Sequence, residues 1–454
     1  MPVWTFALFA SCGSVASKSD NARAELDALE DAGFVVGEGR FTFSDMSGCC
    51  DADARCFGNN PVTPYGTVAI PPSPGRDAEP ALDVVRHWGP VEGGLSRTYR
   101  LRHDEALVTF GSMPPRARYF SLQSYLGERV PQERPVLGSL GPALNHLVME
   151  SERGEPAWGK PVAFVTSMDA SVEADVRAAL IEAGWSSRQI HADRITAAAV
   201  RPGLDEPADS FFVAVRLAIF DDPAAGAAYE ADPPLRVLRV TPEAPREWAE
   251  PWPWPALPAR GSGEPEPEAL LEARNEVVQA ITATLGERPR LAVPSFAYWA
   301  ETLECIDNGY CAGDVRDRFT SNSPLFTLGL DEAVISVGVN HERLGKASYS
   351  SATVQTEAEG RGMVSLTSDE MVGTARQWLP DNPVADDLFV WTVARDCDGW
   401  PEPCTELGTA CPELPLAARA NVLFRAYLEP STGAAPIASE LVKEVAIKVG
   451  AAPE

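Results

Sequence analysis

An internal repetition is the feature of this sequence that most restricts its fold. The stretch DEALVTFGSMPPRARYFSLQSY begins at Asp104, and DEAVISVGVNHERLGKASYSSATV begins at Asp331, 227 residues later. Four of their first eight residues are identical, and the other four are conservative replacements. Arg216 and Arg425 fall at matching places further along, and the pattern P-x-x-G-A-A follows each of them. Because order, spacing and residue type agree, we predict a diverged duplication of one unit.

Alternating strand and helix signals predict the content of each repeat. Repeat one, residues 98–242, begins with the strands TYRLRHDEALVTFG and ARYFSLQSYL around a Pro-Pro turn and continues through further strands and two helices. Repeat two, residues 325–454, has a comparable series of strands with one helix. Residues 21–97 form a cysteine-containing N-terminal segment, and residues 243–324 hold a Pro- and Trp-rich connector, a helix and a cysteine loop. The predicted fold class is α+β, an internal duplication of a mixed α/β unit.

The N-terminal segment, residues 1–20, indicates export. MPVWTFALFASC is an apolar run that ends in Ala-Ser-Cys, like the lipobox of bacterial lipoproteins, in which the cysteine is acylated. The segment carries no Lys or Arg before its short apolar run, so an ordinary hydrophobic N-terminus is the alternative. No later stretch approaches the ~18 apolar residues of a membrane span. We therefore expect a secreted or cell-envelope protein, tethered to a membrane through Cys12 only.

Eight further cysteines favour disulfide bonds, because they lie in polar loops such as CIDNGYC and CDGWPEPC. The clusters hold three, two and three cysteines, so complete pairing requires at least one bond between different clusters. We expect local bonds within each cluster and one bond between the outer two. The eight are Cys49, Cys50, Cys56, Cys305, Cys311, Cys397, Cys404 and Cys411.

Composition narrows the classes of partner. The net charge of −27, from 38 Lys and Arg against 65 Asp and Glu, disfavours nucleic acid as a partner, and no Lys/Arg run is present. C-x-x-C zinc knuckles are absent, and the Asp-rich cysteine loops lack the EF-hand spacing for calcium. Serine-hydrolase, zincin and nucleotide-binding signatures are absent too. We expect no metal and no cofactor.

Arg216 and Arg425 are the candidate binding residues. Each lies in the middle of an apolar strand, where an uncompensated charge is costly, so each requires a partner. One interpretation is an internal ion pair with a carboxylate of the same repeat, Asp104 or Glu105 in the first and Asp331 or Glu332 in the second. The other interpretation places both guanidinium groups at a pseudo-twofold cleft, where they bind an anion.

His341 is the candidate catalytic residue. It lies where repeat two inserts three residues into its hairpin relative to repeat one, and inserted loops often carry function. With Tyr349 and Ser351 nearby, it would act as a general base beside a hydroxyl nucleophile. The alternative is a solvent-exposed histidine in a turn.

Three segments carry a family resemblance. CFGNNPVTPYGT, DEALVTFGSMPPRARYFSLQSY and FVAVRLAIFDDPAAGAAYEADPP are similar to segments of uncharacterised predicted secreted proteins of bacteria such as myxobacteria. The resemblance covers most of the chain after the leader. It implies export, and it supplies no activity and no catalytic residues.

Two functions remain open from the sequence, which does not decide whether the protein is an enzyme. The first is an exported, disulfide-bonded protein that binds a small molecule or an envelope component, or forms a scaffold at the cell envelope. The second is a secreted hydrolase with its site between the repeats near His341. A pocket that joins His341 to Arg216 or Arg425 favours the second.

Overall fold

The protein is an α+β fold in which strands outweigh helices, 35% against 17% of residues. The predicted fold class is confirmed at that level. Cys12, with residues 1–17 of the predicted leader, lies outside the described residues, and so do Cys49, Cys50, Cys56 and Cys411 with any bonds predicted for them. The computed structural model describes residues 18–44, 65–78, 91–132, 135–297, 302–358, 360–407 and 414–450.

The first half of the described chain, residues 18–242, contains three helices and ten strands. Its helices are Lys18–Asp31 (α1), Ala170–Glu182 (α2) and Pro223–Ala231 (α3). Its strands are Phe34–Phe43 (β1), Tyr65–Ala69 (β2), Ala106–Ser112 (β3), Ala117–Glu128 (β4), Gly138–Ser139 (β5), Leu144–Asn145 (β6), Pro161–Ser167 (β7), Ile190–Arg194 (β8), Ser210–Phe220 (β9) and Leu235–Pro242 (β10).

The second half, residues 268–450, again contains three helices and ten strands among the described residues. Its helices are Glu268–Thr284 (α4), Thr302–Asp307 (α5) and Ser368–Met371 (α6). Its strands are Arg290–Pro294 (β11), Phe296–Ala297 (β12), Arg318–Asn322 (β13), Ala333–Val339 (β14), Tyr349–Thr356 (β15), Gly362–Thr367 (β16), Leu388–Ala394 (β17), Cys404–Glu406 (β18), Ala420–Tyr427 (β19) and Val445–Val449 (β20). No described helix is long and apolar enough to cross a membrane.

The strand order is the same in the two halves. The first half forms one sheet in the order β5-β4-β9-β2-β1-β10-β3-β7-β8, with β6 beside β4. The second forms two sheets, β16-β15-β19-β13-β12 and β11-β20-β14-β17-β18. β11 and β12 follow each other with only Ser295 between them, so together they take the place of the single strand β1. The described pairs are antiparallel except β7 with β8 and β17 with β18, which are equivalent.

Residue register also agrees between the halves. Ala106 of β3 faces Val240 of β10, and Ala333 of β14 faces Val449 of β20. The sheets also include strands that lie before the predicted repeat boundaries at residues 98 and 325. These strands are β1 and β2 in the first half and β11 to β13 in the second. The sequence similarity between the repeats starts only at β3 and β14.

Helices cover one face of the sheet in each half. Leu29 of α1 and Leu180 of α2 share a buried cluster with Val108 of β3. In the second half, Val277 of α4 shares a buried cluster with Val337 of β14. Each such side chain contributes about 1.5–3 kcal/mol by leaving water. The helices named here pack on β3 and β14, so the strands around β9 and β19 have a face available for contact with the other half.

The sheet regions around β9 and β19 face each other across the middle of the molecule. Strand side chains alternate between two faces, and in β9 Val215 and Leu217 point into the core of the first half. Arg216 therefore points to the opposite face, which lies against the second half. In β19, Phe424 points into its own core and Arg425 points toward the first half.

The predicted connector, residues 243–267, packs on the first half through its tryptophans. Trp252 Nε1 donates a hydrogen bond to Ser167 Oγ at 3.1 Å, and the Arg194 guanidinium lies 4.5 Å from the Trp252 ring centroid. Trp248 stacks on His103 with centroids 4.4 Å apart. The aromatic residues of this proline-rich segment thus hold it against the domain surface.

A buried ion pair between Arg239 and Glu105 yields a first prediction. Arg239 Nη2 donates to Glu105 Oε2 at 2.7 Å, and both side chains are buried. Burial alone would raise the pKa of Glu105, but the hydrogen bonds and charge of Arg239 lower it. Glu105→Gln leaves the guanidinium without its counter-charge, so we expect the free energy of unfolding in urea to fall by about 3–5 kcal/mol.

The matched control is Glu38→Gln. Glu38 lies 3.5 Å from Arg236, which is on the same strand as Arg239, but the Glu38 side chain is 65% exposed. Its loss should lower the free energy of unfolding by at most about 1 kcal/mol. Equal effects of the two substitutions would contradict the importance of the buried pair.

Candidate functional site

A cleft of about 490 Å³ lies between the two halves, and both candidate binding arginines line it. Arg216 comes from β9, where it pairs with Ser121 of β4. Arg425 comes from β19, where it pairs with Ser351 of β15. The two arginines therefore occupy the same place in the strand order that the halves share, and they contribute to one cleft.

Arg216 is buried with an incompletely satisfied guanidinium. Its charge lies 5.6 Å from the ring centroid of Tyr65 and 5.3 Å from that of Tyr125. Aromatic faces attract a cation, and such contacts contribute about 0.5–2 kcal/mol. Its Nε and Nη1 atoms have no hydrogen-bond partner among the described residues. Burial alone would lower the pKa of Arg216, but the surrounding tyrosines, Tyr125 and Tyr65 first, raise it above its ordinary value. The charge of Arg216 also acts on the buried carboxylate of Asp317.

Arg425 is buried in a similar state. Its Nη1 donates to Thr353 Oγ1 at 2.8 Å, whereas Nε and Nη2 have no partner within the described part of the chain. Burial lowers the pKa of Arg425, and the positive charge of Arg318 acts in the same direction. Arginine has so high an ordinary pKa that the group stays charged at neutral pH.

Arg318, on β13, adds a third positive charge to the cleft. It is partly buried, and its Nη2 donates to the Gly313 carbonyl at 3.3 Å, while Nε has no partner among the residues described. In that same part of the chain, no carboxylate lies within 4 Å of any of the three guanidinium groups. The cleft is thus a concentration of positive charge in a strongly acidic protein.

The internal ion pairs considered from the sequence are wrong, because the neighbouring carboxylates bind other partners. Asp331 is exposed. The remaining carboxylates pair as follows: Asp104 with Arg102 at 2.7 Å, Glu105 with Arg239 at 2.7 Å, and Glu332 with Lys448 at 2.7 Å. Strand pairing brings Glu105 to Arg239 and Glu332 to Lys448, whereas Asp104 pairs with a residue two positions earlier in the chain.

The rim of the cleft is apolar and exposed. Phe296 is 52% exposed, Tyr310 38% and Leu325 46%. Glu357 also lies at the cleft, and Arg419 pairs with it at 2.6 Å. We use the term rim for Phe296, Tyr310 and Leu325. Charge is therefore concentrated deep in the cleft and apolar surface at its opening.

A disulfide loop from the second half positions part of this rim. Cys305 and Cys311 are bonded with their Cα atoms 4.9 Å apart, which confirms the predicted local bond. The backbone N–H of Cys311 donates to the Val136 carbonyl at 2.6 Å, and that of Gly313 donates to the Leu137 carbonyl at 3.1 Å. The loop is thereby hydrogen-bonded to the first half.

Cys397 and Cys404 form the second described disulfide, with Cα atoms 5.7 Å apart, as a local bond in the third cluster. Cys305, Cys311 and Asp314 also bring potential metal ligands close together. However, the two sulfur atoms are bonded to each other and are not thiolates, which are the form that binds metal.

His341 lies in a buried ion-pair network and not in an exposed turn, so the solvent-exposed alternative is wrong. Its Nδ1 lies 2.6 Å from Glu266 Oε1, and its Nε2 lies 3.5 Å from Glu444 Oε1. Burial alone would lower the pKa of His341, but the two carboxylates raise it to about 10. A histidine that is protonated at neutral pH does not act as a general base.

The other two candidate catalytic residues lie on β15. Tyr349 stacks on Tyr427 with centroids 5.5 Å apart, and Tyr427 in turn contacts Tyr119 of the first half at 4.7 Å. Ser351 is buried beside Arg425 in the strand register. His341 does not line the cleft that contains Arg425. The catalytic roles of His341, Tyr349 and Ser351 stay predictions, and the geometry favours structural roles.

Sequence reasoning missed Arg318 as a cleft residue. The strand RFTSN places Arg318, Thr320 and Asn322 on one face, because alternate residues of a strand point the same way. All three line the cleft. The alternation of polar residues was the available signal, but it also fits an ordinary solvent-exposed strand face.

Comparisons with known proteins identify no family. No protein-family model matches the chain, and no curated protein does. An uncharacterised protein from Burkholderia cenocepacia is 12% identical, with a TM-score of 0.38 over 94% of this chain and 86% of its own. The VPA0106 protein from Vibrio parahaemolyticus is 11% identical, with a TM-score of 0.35 over 78% of this chain and 88% of its own. Values this low support no argument about function.

The His341 network yields a prediction about pH. The folded-state pKa of about 10 exceeds the ordinary 6.5, so the stabilisation is fully present below pH 6.5 and is lost as pH rises toward 10. We expect the stability difference between the wild type and His341→Gln, measured in urea, to shrink over this interval. The slope is at most about 1.4 kcal/mol per pH unit. Parallel pH profiles would contradict a protonated His341.

Proposed function

We propose that this chain is an exported binding protein, built by duplication of one α+β unit, that holds a small anionic molecule in the cleft between its halves. The observation that carries the proposal is the pair of buried arginines, Arg216 and Arg425, which both line the cleft and each have two buried nitrogens without a hydrogen-bond partner among the described residues. The carboxylates that could have paired with Arg216 within the first repeat form ion pairs with other residues instead.

The physical argument is one of charge compensation. Removing a charged group from water costs several kcal/mol unless a counter-charge and hydrogen bonds replace the water. Tyr65, Tyr125 and Thr353 replace part of that hydration. An anion in the cleft supplies the rest, because its oxygens accept hydrogen bonds from the free guanidinium N–H groups.

The shared strand order supports descent by duplication. Each half contributes one arginine at the same register position, opposite Ser121 on β9 in one half and opposite Ser351 on β19 in the other. Such pairs of equivalent residues arise directly when a copied unit packs against the original around a pseudo-twofold axis. The anion would then be bound from both sides by equivalent groups.

Export is supported by the disulfides and by the resemblance to secreted bacterial proteins. Two described disulfides favour an oxidising compartment, where such bonds persist. The ligand of the cleft would be a small molecule of that compartment or a component of the envelope. The hydrolase alternative gains no support from His341, whose imidazole is held between Glu266 and Glu444.

Arg425→Met tests the binding function. In the ligand-free protein this change removes an uncompensated buried charge, so we expect the free energy of unfolding to rise by about 1–3 kcal/mol. Thr353 keeps its hydrogen bond with Ser365 Oγ at 2.8 Å, so no buried hydroxyl is left unpaired. Binding of butanoate, measured by calorimetry, should be lost in the same variant.

The matched control is Arg239→Met. Arg239 is also a buried mid-strand arginine, but it has Glu105 as its partner. We expect this variant to be less stable than the wild type by about 3–5 kcal/mol. Loss of stability in Arg425→Met, with butanoate binding unchanged, would show that Arg425 is structural and would overturn the proposed function.

Export is tested separately through Cys12. An acylated Cys12 would anchor the chain to a membrane, so Cys12→Ala should move the protein from the envelope fraction to the soluble fraction in its native host. Membrane fractionation followed by immunodetection measures the change. Recovery of the protein from the cytosol with Met1 intact would contradict export.

A further inference from the structure

The wall of the cleft is unusually aromatic for a polar anion site. Tyr65, Tyr125, Phe212, Phe296 and Tyr310 line it. Tyr125 and Phe212 are stacked on each other, within 13° of parallel and with centroids 5.1 Å apart, whereas Phe296 and Tyr310 are 52% and 38% exposed and offer their rings to the cleft. Flat aromatic surfaces favour a ligand with an aromatic ring, since offset stacking adds about 0.5–1.5 kcal/mol beyond the burial of area.

The interior of the cleft is charged, whereas its rim is apolar. Arg216 and Arg425 are buried in the interior, whereas Phe296 and Leu325 at the rim are about half exposed. An inorganic anion would neutralise the interior but would leave this apolar surface in water. A ligand with a charged head and an apolar body matches both regions at once.

We propose that the ligand is an arylalkyl carboxylate or its phosphonate counterpart. Its anionic head contacts Arg216 and Arg425, and its ring packs against the exposed rings of Phe296 and Tyr310 at the rim. This inference rests on the proposed function, because it identifies the chemical class of the anion. The cleft volume of about 490 Å³ falls within the roughly 300–1,000 Å³ of typical small-molecule sites.

The two head groups share the chemistry that the arginines recognise. A guanidinium donates paired N–H groups to either a carboxylate or a phosphonate. Four guanidinium nitrogens of the two arginines, Nε and Nη1 of Arg216 and Nε and Nη2 of Arg425, are buried and have no hydrogen-bond partner among the described residues. Either head group has enough acceptor sites to engage them, so the choice between the two is left to measurement.

Calorimetry on the full chain distinguishes these possibilities with four probes. Phenylbutanoate should bind at least tenfold more tightly than butanoate, because only the first has a ring to bury against Phe296 and Tyr310. Phenylbutanamide, which has the ring without the charge, should not bind measurably. Phenylbutylphosphonate, compared with phenylbutanoate, identifies the preferred head group.

Leu325→Ser tests the rim without disturbing the core, since Leu325 is exposed. We expect it to weaken phenylbutanoate binding about threefold to tenfold and to leave butanoate binding unchanged. Leu330→Ser is the matched control, because Leu330 is another exposed leucine of the same loop and does not line the cleft. It should change neither affinity.

The results separate failure of the inference from failure of the proposed function. If butanoate and phenylbutanoate bind equally and both depend on Arg425, the cleft binds anions but the aryl ligand class is wrong. If phenylbutanamide binds as tightly as phenylbutanoate, the cleft is an apolar site, and both claims are wrong. If no anion binds, or if Arg425→Met binds as well as the wild type, the proposed function is wrong.

Discussion

The packing of the two halves against each other, sheet face to sheet face, is the constraint on which the site depends. Around β9 and β19, each strand directs alternate residues into its own half and the others toward the opposite half. Direct bonds fix the contact: Tyr119 O–H donates to Asp317 Oδ1 at 2.7 Å, and Arg118 pairs with Glu342 at 2.6 Å. The interface thus combines polar bonds with a buried cluster that includes Tyr119 and Tyr427, and the cleft lies within it.

The sequence was sufficient for the features that depend on local pattern. Strand and helix periodicity predicted the α+β class, and the spacing of Cys305 and Cys311 predicted a bond that the structure contains. The position of Arg425 within an apolar strand correctly indicated a buried charge that needs a partner. These conclusions required only neighbouring residues, whose effects on backbone and burial are direct.

The features that depend on distant partners were beyond the sequence. Nothing near His341 identifies Glu266 and Glu444, which approach it only after the chain has folded. In the same way, Glu105 is paired with Arg239 by the register of β3 and β10, not by its place in a motif. Pairing of charges is decided by tertiary geometry, so a sequence shows that a partner is required without showing which one.

The loop closed by Cys305 and Cys311 has a consequence for the timing of ligand exchange. Because its backbone is hydrogen-bonded to Val136 and Leu137, the halves cannot swing apart without breaking main-chain bonds across the cleft. A ligand of the proposed kind would then enter and leave between the rim side chains, whose rotation is fast compared with domain motion. The strength of its own contacts would set how long it remains bound.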